Sequence, residues 1–227
     1  SSRSGGGDCG QPVTRFKICG LSTPETVDAA VSVGAFALGF VFFPRSPRHL
    51  SPEQAAGLLG RVPEGRRRVA VLGDAEEALS DRVLAAGLDT LQSHGAETPE
   101  RIAAVAPRPR RPVWRAAGGA TQADIRAAVA AAGPAEWLLL DAKAPRETAS
   151  GEATLPGGNG LAFDWRLLQG TNIGRPWGLG GGLAPGNVAE AIAAVQPGFV
   201  DVSSGVESRS GVKSVEKIKA FAAAVMA

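Results

Sequence analysis

The sequence predicts an α/β protein built as a single-domain (β/α)8 TIM barrel over residues 14–227. Three observations carry this. Short apolar runs alternate eight times with Ala-rich, helix-like segments, and such alternation implies parallel strands with helices packed outside them. The length, 227 residues, is one that α/β barrels commonly fill as a single domain. The first strand leads into "ICGLST" (18–23) rather than the G-x-G-x-x-G turn usual in an open doubly wound sheet.

The units follow in order. "RFKIC" (15–19) leads to "TPETVDAAVSVG" (23–34), where Thr23 is a good N-cap, Pro24 suits the first helical position and Gly34 suits the stop. "FALGFVFF" (36–43) leads to "SPEQAAGLLG" (51–60), with a similar Ser-Pro-Glu start. "RRVAVL" (67–72) precedes "AEEALSDRVLAAG" (75–87), and "LDTLQS" (88–93) precedes "TPERIAAVA" (98–106). "PVWRAA" (112–117) precedes "TQADIRAAVAAAG" (121–133). "EWLLLD" (136–141) is followed, after a long loop, by a helix over "FDWRLLQG" (163–170). "PWGLG" (176–180) precedes "APGNVAEAIAAV" (184–195), and "GFVDVS" (198–203) precedes "VEKIKAFAAAVM" (215–226). Residues 1–13, Ser/Gly-rich at their start, read as a flexible N-terminal tail or an expression remnant, and Cys9 goes with them.

Composition removes several function classes. With 24 basic and 22 acidic residues, the chain lacks the strongly basic footprint of a dedicated nucleic-acid binder. The clusters "GRRRVAV" and "PRPRRPVWR" fall just before strands, on the face opposite the expected chemistry. No apolar run approaches the roughly 18 residues needed to span a bilayer, and no signal peptide is readable. Two cysteines are not a disulfide framework, which fits a cytoplasmic location. Those two with His49 and His94 lack the spacing of a zinc site, so no metal is expected.

In such a barrel the chemistry lies at the carboxyl ends of the strands. The expected rim therefore carries Cys19, "PRSPRHL" (44–50), "QSHG" (92–95), Asp141, "GLGGGL" (178–183) and "DVSSGVES" (201–208). The loops after strands seven and eight are the usual phosphate cradle. Gly181 and Gly182 let backbone approach an anion, and Ser203, Ser204 and Gly205 offer hydroxyls and N–H groups where a short helix could start. Strand alternation turns Phe16 and Ile18 towards the helices and Lys17 and Cys19 into the barrel, roughly 6–7 Å apart. An ammonium at that range favours thiolate and is expected to depress the Cys19 pKa. Asp141 ends an apolar run, where burial raises a carboxyl pKa and suits a proton donor. An acid and a base beside a phosphate cradle, without a cofactor motif, point to an isomerase of a phosphosugar working by general acid–base catalysis.

These residues resemble the phosphoribosylanthranilate isomerase family of tryptophan biosynthesis. The matching segments are "KICGLSTPE" (17–25), "GAFALGFVFFPRSPRHLSPEQA" (34–55), "QSHG" (92–95), "LLLDAK" (138–143), "FDW" (163–165), "GGLAPGNV" (181–188) and "VDVSSGVES" (200–208). The resemblance implies an Amadori rearrangement of N-(5-phosphoribosyl)anthranilate to 1-(o-carboxyphenylamino)-1-deoxyribulose 5-phosphate, with no cofactor. It implies Asp141 as general acid on the ribose ring oxygen and Cys19 as general base at C2. It also implies Arg48 against the anthranilate carboxylate, a bidentate task that suits a guanidinium, and His94 and Asp201 as substrate contacts. The small-molecule phosphosugar is the expected partner, with no nucleic acid or membrane, and monomer and homodimer both stay open.

The chain departs from the family's pattern at Ser93, where leucine is usual, and at "VLGD" (71–74), where V-F-V-N is usual. "GGNGLA" (157–162) lacks the usual lysine, and Gly180 stands where alanine or serine is common. Two alternatives remain. A bifunctional barrel serving both the tryptophan and histidine pathways carries aspartate at the end of its first strand, where this chain has Cys19. A non-catalytic phosphosugar-binding barrel shares the cradle without the turnover.

Overall fold

A computed structural model describes residues 14–73, 77–93, 112–119, 121–142 and 165–227. The tail over 1–13, His94, the expected helix over 98–106 and the long loop over 143–162 lie outside the described residues.

Eight strands, β1 (Arg15–Cys19), β2 (Ala37–Val41), β3 (Arg67–Leu72), β4 (Thr90–Ser93), β5 (Val113–Gly119), β6 (Trp137–Ala142), β7 (Trp177–Leu179) and β8 (Phe199–Val202), pair in parallel and in chain order. The first also pairs with the eighth, Phe16 opposite Val200 and Lys17 opposite Asp201, which closes the barrel. Among the described residues the α-helices are α1 (Pro24–Ser32), α2 (Pro52–Leu59), α3 (Glu77–Ala85), α4 (Gln122–Ala130), α5 (Val188–Val195) and α6 (Val215–Val225). None is long and apolar enough to cross a membrane.

Local chemistry sets where these helices begin. Thr23 Oγ1 accepts from the Thr26 N–H at the start of α1, and Pro24 occupies the first turn, where a missing N–H costs nothing. Ser51 and Gln54 form a reciprocal capping box at α2, as do Thr121 and Asp124 at α4. The sixth unit differs from the sequence expectation. In place of a helix over 163–170, the described part is one 3-10 turn, Trp165–Leu168. Gly170 follows at φ +70°, a left-handed conformation that stops helix propagation.

Two cores result from strand alternation. Phe16, Ile18, Leu38, Phe40, Leu138, Leu140, Val200 and Val202 pack outward against the helices. Cys19, Val41, Val69, Val71, Trp114, Leu139 and Phe199 face inward. Aromatic rings fill the barrel near the strand starts: Trp114 lies 5.8 Å from Phe36 and 5.2 Å from Phe199, which in turn lies 5.2 Å from Trp137. A Cβ on Gly178 would overlap the Phe199 ring, so β7 yields its side-chain space to this plug. With that end filled, the opposite mouth, at the strand C-termini, is where the inward polar residues gather.

The loop after β8 adds a 3-10 turn (Ser204–Val206) and a two-stranded hairpin, β9 (Glu207–Arg209) and β10 (Val212–Lys213), before α6. This small antiparallel appendage falls outside the eight units read from the sequence, and it brings two further charged groups to the mouth.

Candidate active site

Cys19 is the last residue of β1 and is a buried free thiol. Asp141 lies near the end of β6 and is also buried. Because the strands are parallel, both stand at the same end of the barrel. Lys17 points inward as strand alternation requires, and it is wholly buried. Its Nζ donates to Asp201 Oδ1 at 3.0 Å.

Gly39 makes room for this group. It lies beside Cys19 in register, and a Cβ there would come within 3.0 Å of Cys19 Sγ and 3.1 Å of Lys17 Cε. The glycine therefore lets the lysine chain run up beside the thiol.

The electrostatic outcome corrects one expectation. Burial pushes the Cys19 thiol above its ordinary range; Lys17 and Lys213 pull against that rise, while Asp201 adds to it. Lys17 does act on the thiol in the expected sense, but its charge is shared with Asp201. The thiol is raised rather than depressed. For Lys17, burial acts to lower the pKa, and Asp201 and Cys19 together outweigh it, so the ammonium form is held.

Arg48, in the loop after β2, is buried. Its Nε and Nη2 donate to Glu207 Oε1 and Oε2 at 2.6 and 2.9 Å. Glu207 also accepts from Lys213 Nζ at 2.6 Å and from the Gly211 N–H at 3.2 Å. Burial alone would raise the Glu207 pKa, but the Arg48 hydrogen bonds and the Lys213 charge hold it below the usual carboxylate range. Two glycines permit the packing. A Cβ on Gly20 would lie 2.5 Å from Arg48 Cδ, and one on Gly211 would lie 2.6 Å from Pro47 O; both have positive φ, +80° and +78°.

The loops after β7 and β8 lie against each other. Gly181 and Gly182 adopt φ of +83° and +67°, which side-chain-bearing residues rarely adopt. Asn187 braces the first loop, accepting from Ala184 N–H at 2.8 Å and donating to Gly182 O at 3.0 Å. A Cβ on Gly205 would overlap Leu183 O. Ser203 precedes the 3-10 turn, and its carbonyl and hydroxyl both accept from Lys213, at 3.0 and 3.3 Å. Gly180 borders Asp141, and a Cβ there would meet Oδ1 at 3.5 Å, an ordinary contact.

The structure thus brings Cys19, Asp141, Asp201, Arg48, Gly181, Gly182, Ser203, Ser204 and Gly205 to the strand C-termini and the loops that follow them. His94 lies outside the described residues. Asp201 and Arg48, read as substrate contacts, also serve as partners within buried ion pairs.

Sequence reasoning missed Glu207, Lys213 and the Lys17–Asp201 pairing. The last was within reach. Lys17 sits between Phe16 and Ile18, and Asp201 between Val200 and Val202. Opposite charges turned into one barrel from strands that must meet at the seam have reason to pair. Also missed was Gln92, whose side chain is buried and whose Oε1 has no hydrogen-bond partner among the described residues. Among those residues no cluster of three or more His, Cys, Asp or Glu could hold a metal ion.

Comparison with known proteins adds four findings. The model of a family described as N-(5'phosphoribosyl)anthranilate (PRA) isomerase matches residues 16–224. A curated relative from Paracoccus denitrificans (strain Pd 1222), named N-(5'-phosphoribosyl)anthranilate isomerase, is 50% identical over 208 residues, covering 91% of this chain and 94% of its own. The crystal structure of phosphoribosyl anthranilate isomerase from Thermotoga maritima superposes with a TM-score of 0.80 at 35% identity, covering 93% and 98% of the two chains. A further such structure, in complex with reduced 1-(o-carboxyphenylamino)-1-deoxyribulose 5-phosphate, gives 0.77 at 33%, covering the same shares.

Proposed function

The chain belongs to the N-(5'-phosphoribosyl)anthranilate isomerase family, and from that premise we propose how its own residues perform the rearrangement. The substrate is N-(5-phosphoribosyl)anthranilate and the product 1-(o-carboxyphenylamino)-1-deoxyribulose 5-phosphate, within tryptophan biosynthesis. A cytoplasmic location belongs to the same reading, supported by the sparse cysteine content.

Asp141 acts first. Its carboxyl gives a proton to the ribose ring oxygen, the C1–O bond breaks, and the anilino nitrogen becomes a protonated imine. That positive charge makes the C2 proton acidic. Cys19, whose ionisation burial disfavours, takes it from its thiolate form, and the enolamine formed tautomerises to the ketone. Two residues thus divide acid and base work across one mouth, as general acid–base catalysis requires. Each turnover leaves Asp141 one proton short and Cys19 one proton over, and return of that proton through solvent resets both groups.

Binding follows from the groups around this pair. The 5-phosphate lies in the cradle of Gly181, Gly182, Ser203, Ser204 and Gly205, where φ and close packing favour backbone approach. Arg48, held by two bonds to Glu207, is oriented for the anthranilate carboxylate. Gln92 Oε1 is a buried acceptor of the kind a bound ligand satisfies. Asp201 acts chiefly through Lys17, and His94 is retained as a substrate contact on the resemblance alone.

The observation that carries the reading is the placement of Cys19 and Asp141, both buried, at the C-terminal ends of β1 and β6, with the glycine-rich loops after β7 and β8 at that same end. The test is a time course of adduct fluorescence with freshly prepared N-(5-phosphoribosyl)anthranilate. Loss of fluorescence catalysed by the protein supports isomerisation. Saturable binding without any accelerated loss would support the non-catalytic alternative instead.

A further inference from the structure

Strand pairing fixes the height of each inward side chain in the barrel. Gln92 pairs with Val71 of β3 and Trp114 of β5. Leu91 beside it packs outward against the helices, so Gln92 points inward. In a barrel with a shear of about eight residues, inward side chains from alternate strands form layers of four. Carried round the ring, the registers put Gly39, Gln92, Leu139 and Asp201 in one layer. The next layer towards the mouth is Cys19, Val71, Ala116 and Gly180, and Asp141 stands above that.

Gln92 is therefore part of the floor beneath the proposed acid and base, across the ring from Asp201. Two of the residues over this floor are small. Ala116 carries one methyl group and Gly180 no side chain. A Cβ on Gly180 would meet Leu139 Cδ1 at 3.4 Å and Asp141 Oδ1 at 3.5 Å, so this bare position lies between the floor and the acid.

The two polar groups of the floor differ. Asp201 Oδ1 accepts from Lys17 Nζ at 3.0 Å. Gln92 is 1% exposed, and its Oε1 has no hydrogen-bond partner among the described residues. A buried acceptor left bare works against stability, and native structures keep few of them. The reaction supplies a partner. Cys19 takes the proton from C2, and C2 also carries a hydroxyl, so that oxygen is the substrate's polar atom closest to the transferred proton. In the rearrangement it changes from a hydroxyl, which donates, to a ketone, which only accepts. A side-chain amide has an acceptor oxygen and two N–H donors, so it can serve both states, whereas a carboxylate serves only the first.

We propose that Gln92 is a substrate-binding residue whose amide hydrogen-bonds the C2 oxygen, accepting from the hydroxyl and donating to the ketone that replaces it. The proposal rests on the isomerase reading above, with Cys19 at C2.

The test is binding calorimetry on the full chain and needs no turnover. One probe is the product reduced to the alcohol at C2, and the other is the same compound lacking the C2 oxygen. The parent protein should bind the first about tenfold more tightly, equivalent to roughly 1.4 kcal/mol. Gln92→Met removes the amide at similar length. It should bind the alcohol about tenfold more weakly than the parent does, and the deoxygenated probe as well as the parent does, which is the signature of a coupled pair. Its denaturation midpoint should stay at or above that of the parent, because Oε1 has no bond to lose in the free protein.

A folded Gln92→Met that loses affinity equally for both probes, or for neither, overturns the proposal. So does a parent protein that binds the two probes equally, a result that requires no variant to fold. A parent protein that binds neither probe refutes the isomerase reading itself, and the role of Gln92 falls with it.

Discussion

Lys17 and Asp201 meet inside the barrel across the seam between the first and last strands, Nζ to Oδ1 at 3.0 Å, with Lys17 wholly enclosed. The pair stands beside Cys19, so one contact both closes the barrel electrostatically and sets the field at the proposed base. Removing one member leaves the other as an uncompensated buried charge. Lys17→Met should destabilise the fold by about 3–5 kcal/mol, measured by chemical denaturation. The double variant Lys17→Met/Asp201→Asn should lose less than the sum of the two single changes, because it leaves no orphaned charge. Strict additivity would show that the pair is not a unit.

Glu207 predicts an acid limb. Its folded-state pKa lies below the ordinary value of about 4.3, because the opposing effects of Arg48 and Lys213 outweigh burial. A depressed carboxylate contributes stability that is present above the unfolded pKa and is lost as pH falls through the folded one. Wild-type stability should therefore fall as pH drops below about 4.3 towards the depressed value. Glu207→Gln should be less stable at neutral pH and flatter over that interval, as read from denaturation midpoints across pH. Parallel curves for the two proteins would remove Glu207 from the linkage.

Gly39→Ala tests the space between thiol and ammonium. The added methyl would need Cys19 Sγ and Lys17 Cε to give way from 3.0 and 3.1 Å. Overpacking of this kind costs about 1–3 kcal/mol. The expected result is a folded protein with lower kcat and a displaced Cys19 thiolate titration. A variant with unchanged turnover and titration would show that the contact does not matter to the base.

Arg48→Lys keeps a positive charge but loses the planar fork that grips Glu207 through two atoms. Charged hydrogen bonds are worth about 1.5–3 kcal/mol, so KM should rise about tenfold or more with a smaller change in kcat. Steady-state kinetics on N-(5-phosphoribosyl)anthranilate measure both. A lysine variant with wild-type KM would remove Arg48 from carboxylate recognition.

The sequence made the barrel legible because each unit repeats the same physics: an apolar run, a turn, then a capped Ala-rich helix. Thr23 and Ser51 act as the caps their positions imply. Strand alternation alone turned Lys17 and Cys19 inward, and they are inward. The rest depended on distances that no spacing reveals. Lys17 beside Cys19 suggested a depressed thiol, but the sign is set by burial and by Asp201, 184 positions away along the chain. Lys213 and Glu207 sit in a hairpin after the last strand, where the alternation of strands and helices gives no signal. The described part of the sixth unit is one 3-10 turn, Trp165–Leu168, where helix was expected, and Gly170 follows it in a left-handed conformation.

The central claim is that Cys19 and Asp141 divide base and acid work on one substrate, and turnover of Cys19→Ala and Asp141→Asn on N-(5-phosphoribosyl)anthranilate tests it most directly. Each variant should fold as the wild type does and lose at least about 10²-fold in kcat. Near wild-type turnover in either folded variant would contradict the assignment of that residue and, with it, the division of labour.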